Sequence, residues 1–184
     1  MGRLTEQLAQ LTQFESERLI MRHAVMDDAQ DMYEFLREDD VIRWLHAPKL
    51  TSVTQAAEES ITGYHLSDPL GKYVIVDRIS NKMIGGIDIR LNEANDAAEI
   101  GYMLNTHYWG QGYMTEAVTA LIQQAFALGI HRIEGRHAPL NTASGRVMQR
   151  VGMTREGVLR DAEKLPNGEY VDSVVYGIIN PNHE

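Results

Sequence analysis

The sequence predicts an α+β fold with three layers, in which helices cover both faces of one central sheet. Segments with strand periodicity and segments with helical periodicity follow one another in the order β-α-α-β-β-β-α-β-α-β-β. This order is typical of a mixed sheet packed between helices, and it gives about seven strands. No repeat, low-complexity tract or linker divides the 184 residues, and this length suits one domain with a sizeable core.

Residues 1–15 are predicted to be an extension that precedes the domain. Leu4, Leu8 and Leu11 recur at helical spacing in an otherwise polar segment, which predicts an amphipathic helix. Such a helix either packs loosely on the domain or contacts a second subunit. Residues 16–184 then form the single domain.

The first half of the domain is predicted to contain four strands and two helices. Apolar runs bounded by turn residues predict the strands at 18–22, 73–77, 83–91 and 97–104. Apolar residues at helical spacing predict helices that end near residues 37 and 66. Their candidate N-caps are Asp27 or Asp28 for the first helix and Ser52 or Thr54 for the second.

The second half is predicted to contain the most regular helix of the chain. Residues 112–128 repeat apolar side chains at helical spacing, and Gly129 follows as the C-terminal cap. A strand at 132–137 leads to Asn141, the N-cap of a shorter helix that Gly152 ends. Two further strands, at about 153–160 and 170–179, flank the hairpin turn Pro166-Asn167-Gly168.

Composition and charge narrow the classes of function. The net charge of −9 opposes binding to DNA or RNA and favours encounter with cationic partners such as amines. The sequence has no cysteine and no paired-histidine motif, so we expect neither a metal site nor a cysteine nucleophile. No apolar run reaches the roughly 18 residues of a membrane span, and no secretory signal begins the chain. We therefore expect a cytoplasmic protein that does not enter the membrane.

The segment at residues 104–117 carries the clearest chemical signal. It joins a predicted strand to the most regular helix and contains Gly110 and Gly112. Glycines let successive N–H groups converge on one point, and the helix N-terminus adds unpaired donors and a favourable dipole, so a pyrophosphate fits. A plain glycine-rich turn is the alternative. The dinucleotide and Walker motifs are excluded, because Thr115 replaces the third glycine and no lysine follows.

This segment resembles the acetyl-CoA pyrophosphate loop of the Gcn5-related N-acetyltransferase (GNAT) superfamily. The resemblance is carried by Trp109-Gly110-Gln111-Gly112-Tyr113-Met114-Thr115-Glu116-Ala117. Residues 141–153 resemble the next motif of the family, especially in the branch that acetylates N-terminal alanine or serine of ribosomal proteins. The order of elements over residues 18–179 is similar as well. The resemblance implies an acetyl-CoA-dependent N-acetyltransferase with a mixed, mostly antiparallel sheet whose central strands splay apart.

The resemblance also implies where acetyl-CoA binds. The pantetheine would lie between the strands that end at Leu104 and His137 and pair with the backbone of Met103 and Leu104. An N–H near Leu104 would stabilise the oxyanion that forms during transfer. The residues implied to bind the cofactor are Met103, Leu104, Trp109, Gly110, Gln111, Gly112, Tyr113, Met114, Thr115, Asn141 and Ser144.

Three residues are candidates for catalysis: Glu99, Asn141 and Ser144. Transfer to an amine needs a proton acceptor, and Glu99 is the first candidate because its strand ends at the presumed site; Asp88 is a weaker alternative. Either carboxylate is otherwise a charge on a solvated sheet face. The resemblance gives Asn141 a contact with the pantetheine or a water and gives Ser144 a hydrogen bond to the departing thiolate. Their alternatives are an N-cap and a serine that serves the helix backbone.

Three other residues depart from those common in the superfamily. His107 stands where many members have Arg or Gln, so backbone amides must supply most of the phosphate affinity. Met148 stands where many have the tyrosine that protonates the leaving group, so Ser144 or water must do so. Arg136 stands where some have a glutamate base, which excludes a base from that strand.

The acceptor is left open by the sequence. Residues 38–68 are predicted to cover the acceptor cleft, and they include Asp39, Asp40, Trp44, Glu58 and Glu59. These side chains either receive a cationic amine or form a solvated helix face. The acceptor is the N-terminal residue of a ribosomal or other protein, or a small amine such as a polyamine, an amino-acid derivative or an aminoglycoside. A non-catalytic acyl-CoA-binding protein is a further alternative, and a homodimer is compatible with this branch.

Overall fold

The computed structural model describes residues 2–45, 49–165 and 167–182. Its strands are β1 (Gln13–Glu15), β2 (Leu19–Arg22), β3 (Lys72–Asp77), β4 (Met83–Asn92), β5 (Ala97–Leu104), β6 (Arg132–His137), β7 (Thr154–Lys164) and β8 (Tyr170–Ile179). Its α-helices are α1 (Arg3–Gln10), α2 (Ala29–Leu36), α3 (Asp39–Ile42), α4 (Val53–Gln55), α5 (Tyr113–Ala127) and α6 (Thr142–Arg150). A π-helix at Ala56–Leu66 continues α4.

The strands form one sheet in the order β1-β2-β3-β4-β5-β6-β8-β7. Its strand pairs are antiparallel except β5 and β6, which are parallel. That parallel pairing ends at Ile100 and Gly135, although β5 continues to Leu104 and β6 to His137. The two central strands therefore separate at their C-terminal ends, which confirms the predicted mixed sheet with splayed central strands.

Each face of the sheet is covered by helices and has its own hydrophobic core. The alternation of β5 separates the faces: Ala98, Ile100 and Leu104 lie in the core beneath α1, α5 and α6. Met103 points the other way and packs against a second core, which contains Phe35 and lies beneath α2 and the π-helix. This arrangement confirms the three-layer α+β fold. Among the described residues, no helix is long and apolar enough to cross a membrane.

The N-terminal segment departs from the predicted helix over residues 1–15. The helix α1 ends at Gln10, and the next residues form β1, which pairs with β2 through Phe14 opposite Met21. The Phe14 side chain is buried and its ring meets that of Tyr73 edge-on, with centroids 5.0 Å apart. This strand brings the count to eight rather than about seven. Three residues contain too little alternation to distinguish a strand from the end of a helix.

Other boundaries differ more modestly from the prediction. The strand β7 continues to Lys164 instead of about residue 160, across an irregularity where Asp161 has φ of 47°. The short helix α3 was not predicted, because four residues carry no detectable period. Of the two predicted N-caps Ser52 and Thr54, Ser52 caps α4, because its hydroxyl accepts a hydrogen bond from the Gln55 N–H. The hairpin turn at Gly168 is present, and Pro166 lies outside the described residues.

Candidate active site

A cleft of about 1030 Å³ crosses the sheet at the gap between β5 and β6. On one face it is lined by the loop before α5 and by the start of α6. On the other face it is lined by α2, α3 and the π-helix, together with side chains of β4. We call the part of the cleft lined by the loop before α5 and the start of α6 the first chamber, and the part lined by α2, α3 and the π-helix the second chamber.

The predicted phosphate loop borders the first chamber. Gly110 and Gly112 have φ of 74° and 82°, a backbone conformation that residues with a Cβ rarely adopt. Gly112 is the N-cap of α5, so the first N–H groups of that helix face the loop. A Cβ added to Gly110 would find no atom within 4 Å. The loop is therefore open at Gly110, beside the unpaired N–H groups of a helix N-terminus, where anions commonly bind.

Most of the implied cofactor-binding residues line the cleft. The lining residues among them are Met103, Leu104, Trp109, Gly110, Gly112, Tyr113, Met114, Thr115, Asn141 and Ser144. Gln111 points elsewhere: its side chain donates to the His107 carbonyl at 2.8 Å. His107 is itself largely exposed, and its ring lies 3.8 Å from Glu34.

The Arg18 side chain contacts the phosphate loop, and sequence reasoning did not identify this contact. Its Nη1 donates to the Gln111 carbonyl at 3.2 Å, and its guanidinium lies 4.2 Å from the centre of the Tyr113 ring. Its Nε donates to Glu116 at 2.7 Å, and Glu116 also accepts hydrogen bonds from the Ser16 hydroxyl and the Arg18 N–H. Strand β2 and the first turn of α5 are therefore tied together around the loop. The contact spans more than ninety residues of sequence, so no local pattern reveals it.

The backbone of β5 presents donors and acceptors to the gap. The Asn105 N–H donates to the Ile84 carbonyl at 2.8 Å, and Met103 lies opposite Gly86 in the same antiparallel register. Because alternate residues of a strand direct their backbone groups to opposite edges, those of Leu104 face the gap, whereas those of Met103 face β4, contrary to the predicted pairing of the Met103 backbone with the pantetheine. The Leu104 carbonyl already accepts from Trp109 Nε1 at 2.9 Å. The Leu104 N–H faces the gap as well.

Asn141 and Ser144 meet at the start of α6. The Asn141 side chain accepts from the Ser144 N–H at 3.4 Å, so Asn141 is the N-cap of this helix. The Ser144 hydroxyl lies 2.9 Å from the hydroxyl of Tyr102, which also donates to the Ser144 carbonyl at 3.0 Å. Burial raises the pKa of Tyr102 to about 12, so this phenol stays protonated. Sequence reasoning did not identify this contact between Tyr102 and Ser144.

The two candidate bases stand on the opposite face of the sheet. Glu99 pairs with Arg90 at 2.8 Å and with Arg136 at 4.0 Å, and it is about 40% exposed. Asp88 also pairs with Arg90, but it is only 19% exposed and lies opposite Gly101 of β5. Burial raises the pKa of the Asp88 carboxyl above its ordinary value, although the Arg90 charge opposes the shift. Both carboxylates line the cleft.

The second chamber contains part of the predicted acceptor side. Asp40, Trp44 and Glu59 line the cleft, whereas Asp39 is an exposed partner of Lys49 at 2.6 Å. Tyr64 of the π-helix lines it as well, and burial raises its pKa to about 12. Arginines also border the chamber, among them Arg43, Arg90 and Arg136. Within the described ranges, no group of three or more histidine or carboxylate side chains is arranged to hold a metal ion.

A sheet whose parallel central strands separate beside a glycine loop at a helix N-terminus is the arrangement that the resemblance implies for an acyl-CoA-dependent acyltransferase. A family model described as an acetyltransferase (GNAT) domain matches residues 18–154. The chain therefore belongs to the GNAT family, which confirms the resemblance, and it is an N-acetyltransferase.

Relatives and solved structures agree with this assignment. The chain is 29% identical over 168 residues to an uncharacterized N-acetyltransferase, p20, of Bacillus licheniformis, covering 89% of this chain and 94% of the relative. It is 31% identical to the alanine N-acetyltransferase of ribosomal protein uS5 in Escherichia coli, over 65% of this chain and 58% of that protein. A ribosomal L7/L12 α-N-protein acetyltransferase in complex with coenzyme A superposes with a TM-score of 0.77 at 28% identity, covering 89% and 95% of the two chains.

Proposed function

We propose that the protein transfers an acetyl group from acetyl-CoA directly to the N-terminal amine of a protein. The observation that carries the proposal is the continuous cleft, which has a phosphate-binding loop in one chamber and carboxylates in the other. The relatives named above include enzymes that acetylate ribosomal proteins, which supports a protein acceptor.

The described residues fit acetyl-CoA. Gly110 and Gly112 offer their open backbone to the pyrophosphate, and the gap between β5 and β6 accepts an extended arm along β5. The Leu104 N–H faces this gap, where it would hydrogen-bond the thioester oxygen. Acetyl-CoA supplies the activated acyl group, and the protein supplies position and proton transfer.

The remaining roles follow from where the side chains lie. Ser144 would donate a hydrogen bond to the departing sulfur once the Tyr102 hydroxyl proton turns from the Ser144 carbonyl to the Ser144 hydroxyl oxygen, 2.9 Å away. Asn141 fixes Ser144 by capping the same helix. A carboxylate of the second chamber, Glu99 or Asp88, would accept the proton of the incoming ammonium. The chain has no cysteine, so direct transfer is favoured over a cysteinyl intermediate.

The second chamber favours a peptide over a polycation. Asp40 and Glu59 are balanced by Arg43 and Arg136 along its lining, so the chamber is not uniformly acidic. A polyamine would meet these arginines unfavourably, whereas a peptide N-terminus brings one charge followed by neutral backbone groups. Small amines remain the alternative acceptors and belong in the same assay.

The test has two stages. Calorimetric titration with acetyl-CoA, with NADH and ATP as controls, is expected to show saturable binding of acetyl-CoA alone. Three kinds of acceptor are then compared by mass spectrometry: peptides whose first residue is alanine or serine, the polyamine spermidine, and the aminoglycoside kanamycin. Acetylation at the peptide α-amine is the expected result. Absence of acetyl-CoA binding would overturn the proposal, and transfer confined to the small amines would replace the peptide with a small-molecule acceptor.

A further inference from the structure

Charged side chains of alternating sign form a continuous ladder across one face of the sheet, starting in the cleft. Its carboxylates are Asp88, Glu99, Glu134 and Glu156, and its guanidiniums are Arg90, Arg132 and Arg136. After the contact between Asp88 and Arg90, successive partners lie 2.8, 4.0, 2.6, 3.3 and 2.5 Å apart. The ladder spans β4, β5, β6 and β7, and it bridges β5 and β6 where their pairing ends.

Two strand glycines make room for the ladder. A Cβ on Gly101 would lie 2.9 Å from Asp88 Oδ2, and a Cβ on Gly177 of β8 would lie 2.6 Å from Arg132 Nη1. Glycine weakens a strand interior, and it is often found where another group approaches closely. Both ends of the ladder thus occupy space that a side chain would otherwise fill.

The ladder carries one negative charge more than it can pair, since four carboxylates face three guanidiniums. Glu99 lies between Arg90 and Arg136. At the far end, Arg132 donates hydrogen bonds to both oxygens of Glu156, and these bonds lower the pKa of Glu156. At the cleft end, Asp88 shares Arg90 with Glu99 and accepts a hydrogen bond from the Tyr64 side chain, while its burial favours the protonated form.

The groups around Asp88 come from three other elements. Lys72 of β3 lies opposite Asp88 in the sheet. Its Nζ lies 3.6 Å from Asp68 and 4.3 Å from the centre of the Tyr64 ring. Tyr64 of the π-helix covers Asp88 and stays neutral. Glu99 of β5 adds a negative charge that disfavours a second one nearby. Burial and the Glu99 charge together raise the pKa of the Asp88 carboxyl, which lies at the end of the ladder that lines the cleft.

We propose that Asp88, rather than Glu99, is the carboxylate that accepts the ammonium proton of the acceptor, directly or through one water, while the ladder holds Glu99 as an ion-pair partner. This inference rests on the proposed function. The first proton passes to Asp88 and leaves a lone pair on nitrogen. That pair forms the bond to the thioester carbon, and the carbon–sulfur bond breaks with its electrons on sulfur. The second proton of the nitrogen goes to sulfur, and Asp88 returns its proton to solvent.

The experiment compares Asp88→Asn with Glu99→Gln by the pH dependence of kcat, at saturating acetyl-CoA and with the best acceptor of the panel above. Asp88→Asn is expected to lower kcat about 100-fold or more and to abolish the fall of kcat at low pH. Glu99→Gln is expected to keep that fall. The matched control is Glu15→Gln, which removes a carboxylate from an exposed pair with Arg78 outside the cleft and leaves kcat unchanged.

Calorimetry with acetyl-CoA distinguishes failure of the proposed function from failure of the assignment of Asp88. Each variant is expected to bind acetyl-CoA as the wild type does, so a wild type that fails to bind overturns the proposed function itself. Wild-type kcat in Asp88→Asn, or loss of the low-pH fall in Glu99→Gln alone, overturns only the assignment of Asp88.

A second variant tests the assignment independently, in case Asp88→Asn does not fold. Gly101→Ala keeps both carboxylates but places a methyl group against Asp88 Oδ2. It is expected to lower kcat about tenfold with unchanged acetyl-CoA binding, because proton transfer depends on donor–acceptor geometry. An unchanged kcat in Gly101→Ala overturns the assignment as well.

Discussion

Replacement of Gly110 by alanine tests the phosphate loop. No atom lies within 4 Å of the added Cβ, so the cost comes from the backbone and not from a clash. An L-residue in the left-handed region at φ of 74° costs about 1–2 kcal/mol. In a domain of this size each kcal/mol lowers Tm by roughly 2–4 °C, so the variant should melt about 2–8 °C below the wild type.

The same substitution should weaken acetyl-CoA binding by more than its effect on stability suggests. Alanine favours a negative φ at this position, which turns the neighbouring N–H groups away from the point on which they converge. A hydrogen bond to a charged group contributes about 1.5–3 kcal/mol. Loss of one such bond therefore weakens binding by about 10- to 100-fold, and calorimetric titration with acetyl-CoA measures it.

Gly168→Ala provides the matched control. Gly168 has φ of 90°, no atom lies within 4 Å of its added Cβ, and it belongs to the turn between β7 and β8. Its loss of Tm should resemble that of Gly110→Ala, but its affinity for acetyl-CoA should equal that of the wild type. If both variants bind acetyl-CoA equally well, the loop does not hold the phosphates and the reasoning is refuted.

Three further predictions concern side chains around the cleft. Arg18→Ala is expected to raise the Kd for acetyl-CoA about tenfold and Arg18→Lys less, because lysine cannot make both the carbonyl and carboxylate contacts; Arg78→Ala is the calorimetric control. Ser144→Ala is expected to lower kcat about 10- to 100-fold with little change in Kd, and equal kcat values would remove Ser144 from the mechanism. Asp88→Asn is expected to gain Tm relative to the wild type as pH rises from about 4 to 7, because the raised pKa of Asp88 makes its ionised form oppose folding; a Tm difference independent of pH would contradict this.

The sequence predicted those features that depend on neighbouring residues. The loop at Gly110 and Gly112 was found because backbone freedom and a helix start lie within a few positions, and both glycines have the positive φ that this requires. Asn141 was identified as an N-cap for the same reason, since the cap and its N–H partner are three residues apart. The mixed sheet with splayed central strands followed from the resemblance and not from periodicity, which does not distinguish strand directions.

The features that sequence reasoning missed depend on contacts between distant segments. Arg18 reads locally as the first residue of a strand, and only the folded chain brings it to the Gln111 carbonyl. The sequence ranked Glu99 above Asp88, because the difference in their exposure, 40% against 19%, arises from the folded chain and not from the strand pattern. Gly101 suggested nothing specific, since the carboxylate it admits belongs to another strand.

The alternation of β5 assigns the two halves of the reaction to opposite faces of the sheet. Tyr102 points to the face of α6 and holds the Ser144 hydroxyl, while Gly101 on the other face leaves room for the Asp88 carboxylate. Between these faces the sheet is open because β5 and β6 stop pairing at Ile100. The proposed proton donor for sulfur and the proposed proton acceptor for nitrogen are thereby kept apart by one strand, and they do not neutralise each other by direct contact. The bond between nitrogen and carbon would form in the gap, where the two chambers meet.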